Sequence, residues 1–257
     1  MRRLGIATMT LVLAAGCSNH RGPTRTRTVE RQWSDVSIQK IDVSGINGRV
    51  VVEPSDDNTI RMTAQMEVGS GLPASEDEKL IKIRKEGNTL IIEDEGGPES
   101  DGFLSFLRHD SVKVDFTLKV PASLVLELQT VNGNIRVDGV GSELDVTSVN
   151  GKIEVRSPAH EIEAETVNGS VKAEYMTEFR GGKFNTVNGS ISVSVPANTS
   201  IDADVDQLNG SFQSNIPVIV EGDSVKTAAG GTNRFPLDVS TVNGSVTLTQ
   251  REGAGGQ

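Results

Sequence analysis

The chain has 257 residues, a formal net charge of −10, 35% hydrophobic and 4% aromatic side chains, 27 glycines and one cysteine. An acidic balance disfavours nucleic-acid binding, which needs a basic stripe to displace counterions from phosphates. A lone cysteine excludes a disulfide framework and a thiolate metal cluster.

The chain opens with Met1-Arg2-Arg3-Leu4, continues through an apolar stretch from Leu4 to Ala15 that is too short to anchor across a bilayer, and reaches Ala14-Ala15-Gly16-Cys17. This resembles a bacterial lipoprotein signal with its lipobox. The resemblance implies that residues 1–16 are removed and that Cys17 becomes the acylated, palmitate-bearing first residue. The membrane partner is then reached through an N-terminal lipid, in which each buried methylene contributes about 0.8 kcal/mol. Ser18 after the cysteine implies the outer membrane. A cleaved, ordinary secretory signal is the alternative. Loss of Arg2 and Arg3 with the signal takes the charge from −10 to −12.

Residues 17–35 read as a lipidated cysteine and a flexible basic tether. From Ser18 to Trp33 it carries Arg21, Arg25, Arg27 and Arg31 against a single Glu30 and has no apolar period. Its arginines suit anionic headgroups, at about 1 kcal/mol each near such a surface, or are simply solvated.

Residues 36–250 read as one β-repeat domain, because an Asn-Gly pair recurs seven times. The pairs are Asn47-Gly48, Asn132-Gly133, Asn150-Gly151, Asn168-Gly169, Asn188-Gly189, Asn209-Gly210 and Asn243-Gly244. From Asn132 onward the asparagines are separated by 18, 18, 20, 21 and 34 residues. Such spacings fit two short strands and two corners, and are too short for a βαβ unit.

Aligned on the asparagine, apolar residues occupy six and four places before it, as at Leu126 and Leu128, and three and five places after it, as at Ile135 and Val137. That is the period of a strand with one buried face. One place before stand Ile46, Val131, Val149, Val167, Val187, Leu208 and Val242, all aliphatic. An antiparallel, hairpin-based β-sandwich with type I′ Asn-Gly turns would turn that column outward. A β-solenoid, parallel β-helix-like, with Asn-Gly as a corner between two strands of one coil lets it point inward and is favoured. The asparagine amides then stack about 4.8 Å apart, and the pairs are structural corners. Pro158, Pro196 and Pro217, eight residues after an asparagine, suit strand ends.

Residues 53–123 interrupt the repeat. Thr59 to Val68, Leu80 to Arg84, Leu90 to Glu93 and Val112 to Val120 read as antiparallel strands, with a turn at Gly87-Asn88. The loop from Gly96 to Asp110 holds Phe103, Leu104, Phe106 and Leu107, an apolar knot that either caps the stack or forms a contact patch. The tail, 251–257, is glycine-rich and expected to be disordered.

Gly45-Ile46-Asn47-Gly48, Val114 to Pro121 and Leu126 to Gly133 with its successors together resemble the bacterial β-strand-repeat proteins classed as putative adhesins of unknown function, and the related Gly-Ile-Asn head domains. The resemblance covers about residues 36 to 250. It implies an envelope-exposed β-solenoid and carries no catalytic residues, no cofactor and no metal onto this chain.

No constellation for catalysis is legible. His20, His109 and His160 form no ligand set, and no base neighbours the Ser and Thr residues beside the Asn-Gly pairs. Five places before the asparagine, Glu127, Asp145, Glu163, Lys183, Asp204 and Asp238 form a column. It reads as solvated strand face or, alternatively, as a cation site. The expectation is a noncatalytic, lipid-anchored cell-envelope protein that engages a macromolecular partner in adhesion or envelope organisation. The alternatives are a periplasmic sensor or binding module for cationic peptides or metal, and a polysaccharide-active β-helix enzyme. Oligomeric state and the face of the membrane are open.

Overall fold

The computed structural model describes residues 24–69, 79–95, 112–158, 160–197, 199–221, 224–227 and 234–251. Cys17, the apolar knot at Phe103, Leu104, Phe106 and Leu107, and the tail beyond Arg251 lie outside the described residues.

All regular structure among the described residues is strand. In chain order the strands are β1 (Thr24–Trp33), β2 (Lys40–Asn47), β3 (Val50–Pro54), β4 (Ile60–Gly69), β5 (Ile81–Glu86), β6 (Thr89–Asp94) and β7 (Val112–Val120). There follow β8 (Val125–Asn132), β9 (Ile135–Asp138), β10 (Glu143–Asn150), β11 (Ile153–Arg156), β12 (Ile162–Asn168), β13 (Val171–Glu174), β14 (Gly182–Asn188) and β15 (Ile191–Val195). The last are β16 (Ile201–Asn209), β17 (Phe212–Ser214), β18 (Val218–Glu221), β19 (Ser224–Thr227), β20 (Phe235–Asn243) and β21 (Val246–Gln250). One sheet has ten strands in the order β1-β4-β7-β3-β9-β11-β13-β15-β21-β17, the other eleven in the order β18-β19-β16-β20-β14-β12-β10-β8-β2-β6-β5.

Each Asn-Gly copy gives one strand to each sheet. β10 ends at Asn150 and pairs in parallel with β8 and β12, so that Asn150 lies beside Asn132 and Asn168. β11, which follows the corner, pairs in parallel with β9 and β13 in the other sheet. The two arms of a copy never pair with each other, which rules out the hairpin sandwich and gives a β-solenoid-like stack. The apolar columns of both sheets meet in one core, where Leu126, Leu128, Ile135, Val137, Ile153 and Val155 are at most 2% exposed.

The column one place before the asparagine does not point inward. Val131, Val149, Val167, Val187 and Val242 are 38–42% exposed and Leu208 is 69% exposed. The solenoid stands, but the argument that selected it through this column is wrong. Alternation holds through the whole arm, so the residue two places before the asparagine turns inward instead. Thr130, Ser148, Thr166, Thr186 and Thr241 are buried there. The phase change comes at the glycine, one residue later than the inward reading assumed.

Two further expectations are corrected. Thr24–Trp33 is not tether but β1, a full antiparallel partner of β4. Its residues are half-buried or exposed throughout, so no hydrophobic period marks it; the β-branched Thr24, Thr26, Thr28 and Val29 and the aromatic Trp33 are its strand signal. Of the two readings of residues 53–123, β insertion or cap, the cap falls, because their strands prolong both sheets. β7 joins β3 in parallel and β4 antiparallel, while β6 joins β2 in parallel and β5 antiparallel. Asp94, at the end of β6, accepts the Ile46 N–H at 3.2 Å.

The stacking order also departs from chain order. β20 lies between β14 and β16, and β21 between β15 and β17. The seventh copy therefore slides between the fifth and the sixth. The 34-residue spacing before it holds the β18–β19 hairpin, whose second strand covers part of the outer edge of β16. Packing shows why the slot needs this strand: Leu237 sits in register between Gly182 and Ala203, the two smallest residues of their column. A side chain at Gly182 would collide with Phe184 and Tyr175 at 2.7 and 2.8 Å.

Candidate functional site

The corner between the sheets carries the most regular chemistry on the molecule. Each asparagine side-chain amide donates to the Oδ1 of its neighbour: Asn132 to Asn47 at 3.0 Å, Asn150 to Asn132, Asn168 to Asn150, Asn188 to Asn168 and Asn243 to Asn188 each at 2.9 Å, and Asn209 to Asn243 at 3.1 Å. All seven asparagines join one ladder with a single direction, and its order Asn188-Asn243-Asn209 repeats the inserted coil. An amide has two donors and two acceptor lone pairs. Each inner rung of the ladder spends one of each.

Beneath the ladder a second set of bonds ties coil to coil. The Ser148 hydroxyl donates to the Gly133 carbonyl at 3.3 Å, Thr166 to Gly151 at 3.2 Å, Thr186 to Gly169 at 3.0 Å and Thr241 to Gly189 at 3.2 Å. This explains the inward hydroxyl, since an aliphatic side chain there would bury that carbonyl beside an apolar group. Close approach also fixes the glycine. A Cβ on Gly151 would lie 1.8 Å from the Gly133 carbonyl oxygen, and at Gly133, Gly169, Gly189, Gly210 and Gly244 the clash is between 1.7 and 1.9 Å. Gly48 adds a left-handed backbone, φ 134°.

Outside the ladder runs the exposed aliphatic row, which the inward reading had placed in the core. Beyond it the eleven-stranded sheet presents the acidic column, in the spatial order Asp42, Glu127, Asp145, Glu163, Lys183, Asp238 and Asp204. Lys40 pairs with Glu127 at 2.6 Å, and Lys183 pairs with Glu163. Desolvation first, then the carboxylates of Glu163, Glu127 and Glu165, pushes the Asp145 carboxyl up. Desolvation and Glu127 do the same to Asp42. The folded chain thus holds the Asp145 proton more tightly than the unfolded chain. Ionisation opposes folding above the raised value, and the penalty vanishes below the ordinary 3.8. Asp145→Asn is expected to raise the melting temperature at pH 7 and to leave it unchanged at pH 3; thermal unfolding at both values checks this.

Among the described residues no group of three or more His, Cys, Asp or Glu is arranged to hold a metal ion, so the acidic column is not drawn together as a cation site. His160 is exposed beside Glu161, whereas His20 and His109 lie outside the described residues. No helix among the described residues is long and apolar enough to cross a membrane.

Two parallel-stranded sheets joined at an asparagine-glycine corner define an all-β repeat protein of the solenoid type. The chain belongs to the Toastrack DUF4097 family, whose profile matches residues 115–249, more than half of its length. Among solved structures, it is similar to a putative cell adhesion protein from Clostridium sporogenes ATCC 15579, at 12% identity and a TM-score of 0.51, covering 88% of this chain and 100% of that one. A putative adhesin from Bacteroides fragilis NCTC 9343 gives 12% identity, a TM-score of 0.40, and coverage of 87% and 97%. A putative lipid binding protein from Parabacteroides distasonis ATCC 8503 gives 12% identity, a TM-score of 0.33, and coverage of 88% and 97%. At 12% identity the likeness to the Clostridium structure is one of fold. No curated protein matches.

Proposed function

We propose that this is a noncatalytic cell-envelope protein, held by a lipid on Cys17, whose rigid stack presents repeated surface rows to a macromolecule in adhesion or envelope organisation. The observation that carries this reading is the corner itself: six of the seven copies place the same exposed aliphatic and amide groups at the same height in their coils. Such a surface offers many weak, equivalent contacts, which suits an extended partner rather than a small substrate. The Ala14-Ala15-Gly16-Cys17 signal supplies the envelope address, and the name of the Clostridium structure points the same way.

Protease shaving of intact cells, with fractionation, tests the reading. The chain is expected in the membrane fraction and to be cut from outside, while Cys17→Ser releases it into the soluble fraction. Retention of the Cys17→Ser chain in the membrane would overturn the lipid anchor. Protection until the outer envelope is opened would favour the second reading, a periplasmic module for cationic peptides. That reading rests on the crowded carboxylates around Asp145, which a cationic ligand would relieve.

A further inference from the structure

The aliphatic row lies outside the core, and each copy leaves part of an apolar side chain in water. Strand propensity alone would be met equally by threonine, which is β-branched and wettable, yet all seven copies carry an aliphatic side chain at this place. On the last four rungs of the stack, Val167, Val187, Val242 and Leu208 are 38–69% exposed. Each is followed by its ladder asparagine, which in Asn168, Asn188 and Asn243 has one N–H and one lone pair left over. Two places beyond the asparagine every one of these rungs has serine, as in the bonded pair Ser190 and Ser245 at 3.0 Å. The three rungs nearer the other end have Arg49, Asn134 and Lys152 there instead, so two of them carry a charge. The distal strip is thus three parallel rows, aliphatic, amide and hydroxyl, without a charge in any of them.

We infer that this strip, the Val-Asn-Gly-Ser face of the four distal rungs, binds an uncharged polysaccharide chain lying along the stack axis. Sugar rings combine an apolar C–H face with hydroxyls that both donate and accept, which is the complement of an aliphatic row beside half-spent amides. The repeat decides against an extended polypeptide: that chain rises roughly 3.3 Å per residue and slips out of step with rungs about 4.8 Å apart. A second copy is disfavoured by area, because a stable interface buries roughly 800 Å² per partner and this strip is only three side chains wide and four rungs long beside an acidic face. A bilayer would require a broad apolar face with a basic border.

The inference rests on the noncatalytic envelope reading above and adds its partner and place. Its test uses the secreted chain carrying Cys17→Ser, with insoluble β-1,4-glucan and β-1,4-linked N-acetylglucosamine polymer, and their six-sugar fragments, as probes. Retention on at least one polymer is expected. The doubly substituted Val167→Asp, Val242→Asp chain, whose two new charges lie two rungs apart, should bind its fragment about tenfold more weakly with an essentially unchanged melting temperature, while Glu154→Gln on the other sheet should bind normally. Absence of retention on both polymers, or retention indifferent to the double substitution, would overturn the inference. So would self-association or binding to phosphatidylglycerol vesicles that the double substitution abolishes, since the row would then serve that partner. A chain that shaving shows on the surface but that neither polymer retains would sink the polysaccharide and leave the envelope reading standing.

Discussion

A chain ending after Asn233 is expected to lose the order of its whole distal third rather than one terminal coil. The removed strands β20 and β21 fill a slot, with β14 and β15 on one side and β16 and β17 on the other. Leu237, Val239, Val246 and Leu248, all at most 3% exposed, leave with them. At about 1.5–3 kcal/mol per fully buried side chain, they represent roughly 6–12 kcal/mol, which rivals the 5–15 kcal/mol that typically holds a domain together. The sixth coil could restack directly on the fifth, since Asn209 and Asn188 already share a register through Asn243. Ala203 would then face Gly182 where Leu237 had stood, leaving a void that such a core tolerates poorly. Denaturant unfolding is expected to become broad, with a midpoint far below that of the full chain, and limited proteolysis should cut between Gly182 and Ser214. In a solenoid stacked in chain order the same deletion would remove one end coil and spare its neighbours. A sharp transition at a denaturant midpoint close to that of the full chain would show that the inserted coil is dispensable.

What the sequence discloses and conceals follows one physical division. Inward positions six and four before, and three and five after, each asparagine are legible because burial selects aliphatic side chains there, and the period of two is then unambiguous. Where a buried position also has to satisfy a carbonyl, the selection reverses to Thr166 or Thr186, and a reading by hydrophobicity takes the wrong neighbour as the inward one. Strict alternation continued from Val146 through Ser148 would have placed Val149 outside. The coil order is hidden for another reason: every copy offers the same register to every other, so spacing alone cannot say which two become neighbours. Only the small residues Gly182 and Ala203, which call for a large partner, hint at Leu237. β1 escapes because an edge strand with both faces partly wet has no apolar period to find.

Ile153→Asp and Val167→Asp separate the two sides of the corner. Both replace an aliphatic residue within a copy's corner segment, and an inward reading of both columns would predict equal damage. Ile153 is fully buried between Ile135 and Val171, so aspartate forfeits an aliphatic contact of about 2–5 kcal/mol. It also places an unpaired charge in the core, where a polar group without a partner costs several kcal/mol more. The sum exceeds the stability of a typical domain margin, and the variant is expected to be unfolded at 25 °C by circular dichroism. Val167 is 42% exposed, and its aspartate would keep its hydration; a change within about 0.5 kcal/mol, as for most surface substitutions, is expected. A small extra loss from the nearby Glu165 carboxylate would be removed by salt. If Val167→Asp unfolds the chain as Ile153→Asp does, the aliphatic row is part of the core after all, and no surface strip exists for a partner to read. If it folds normally, six solvent-facing aliphatic side chains are retained for a reason outside folding, and the corner is where that reason is to be sought.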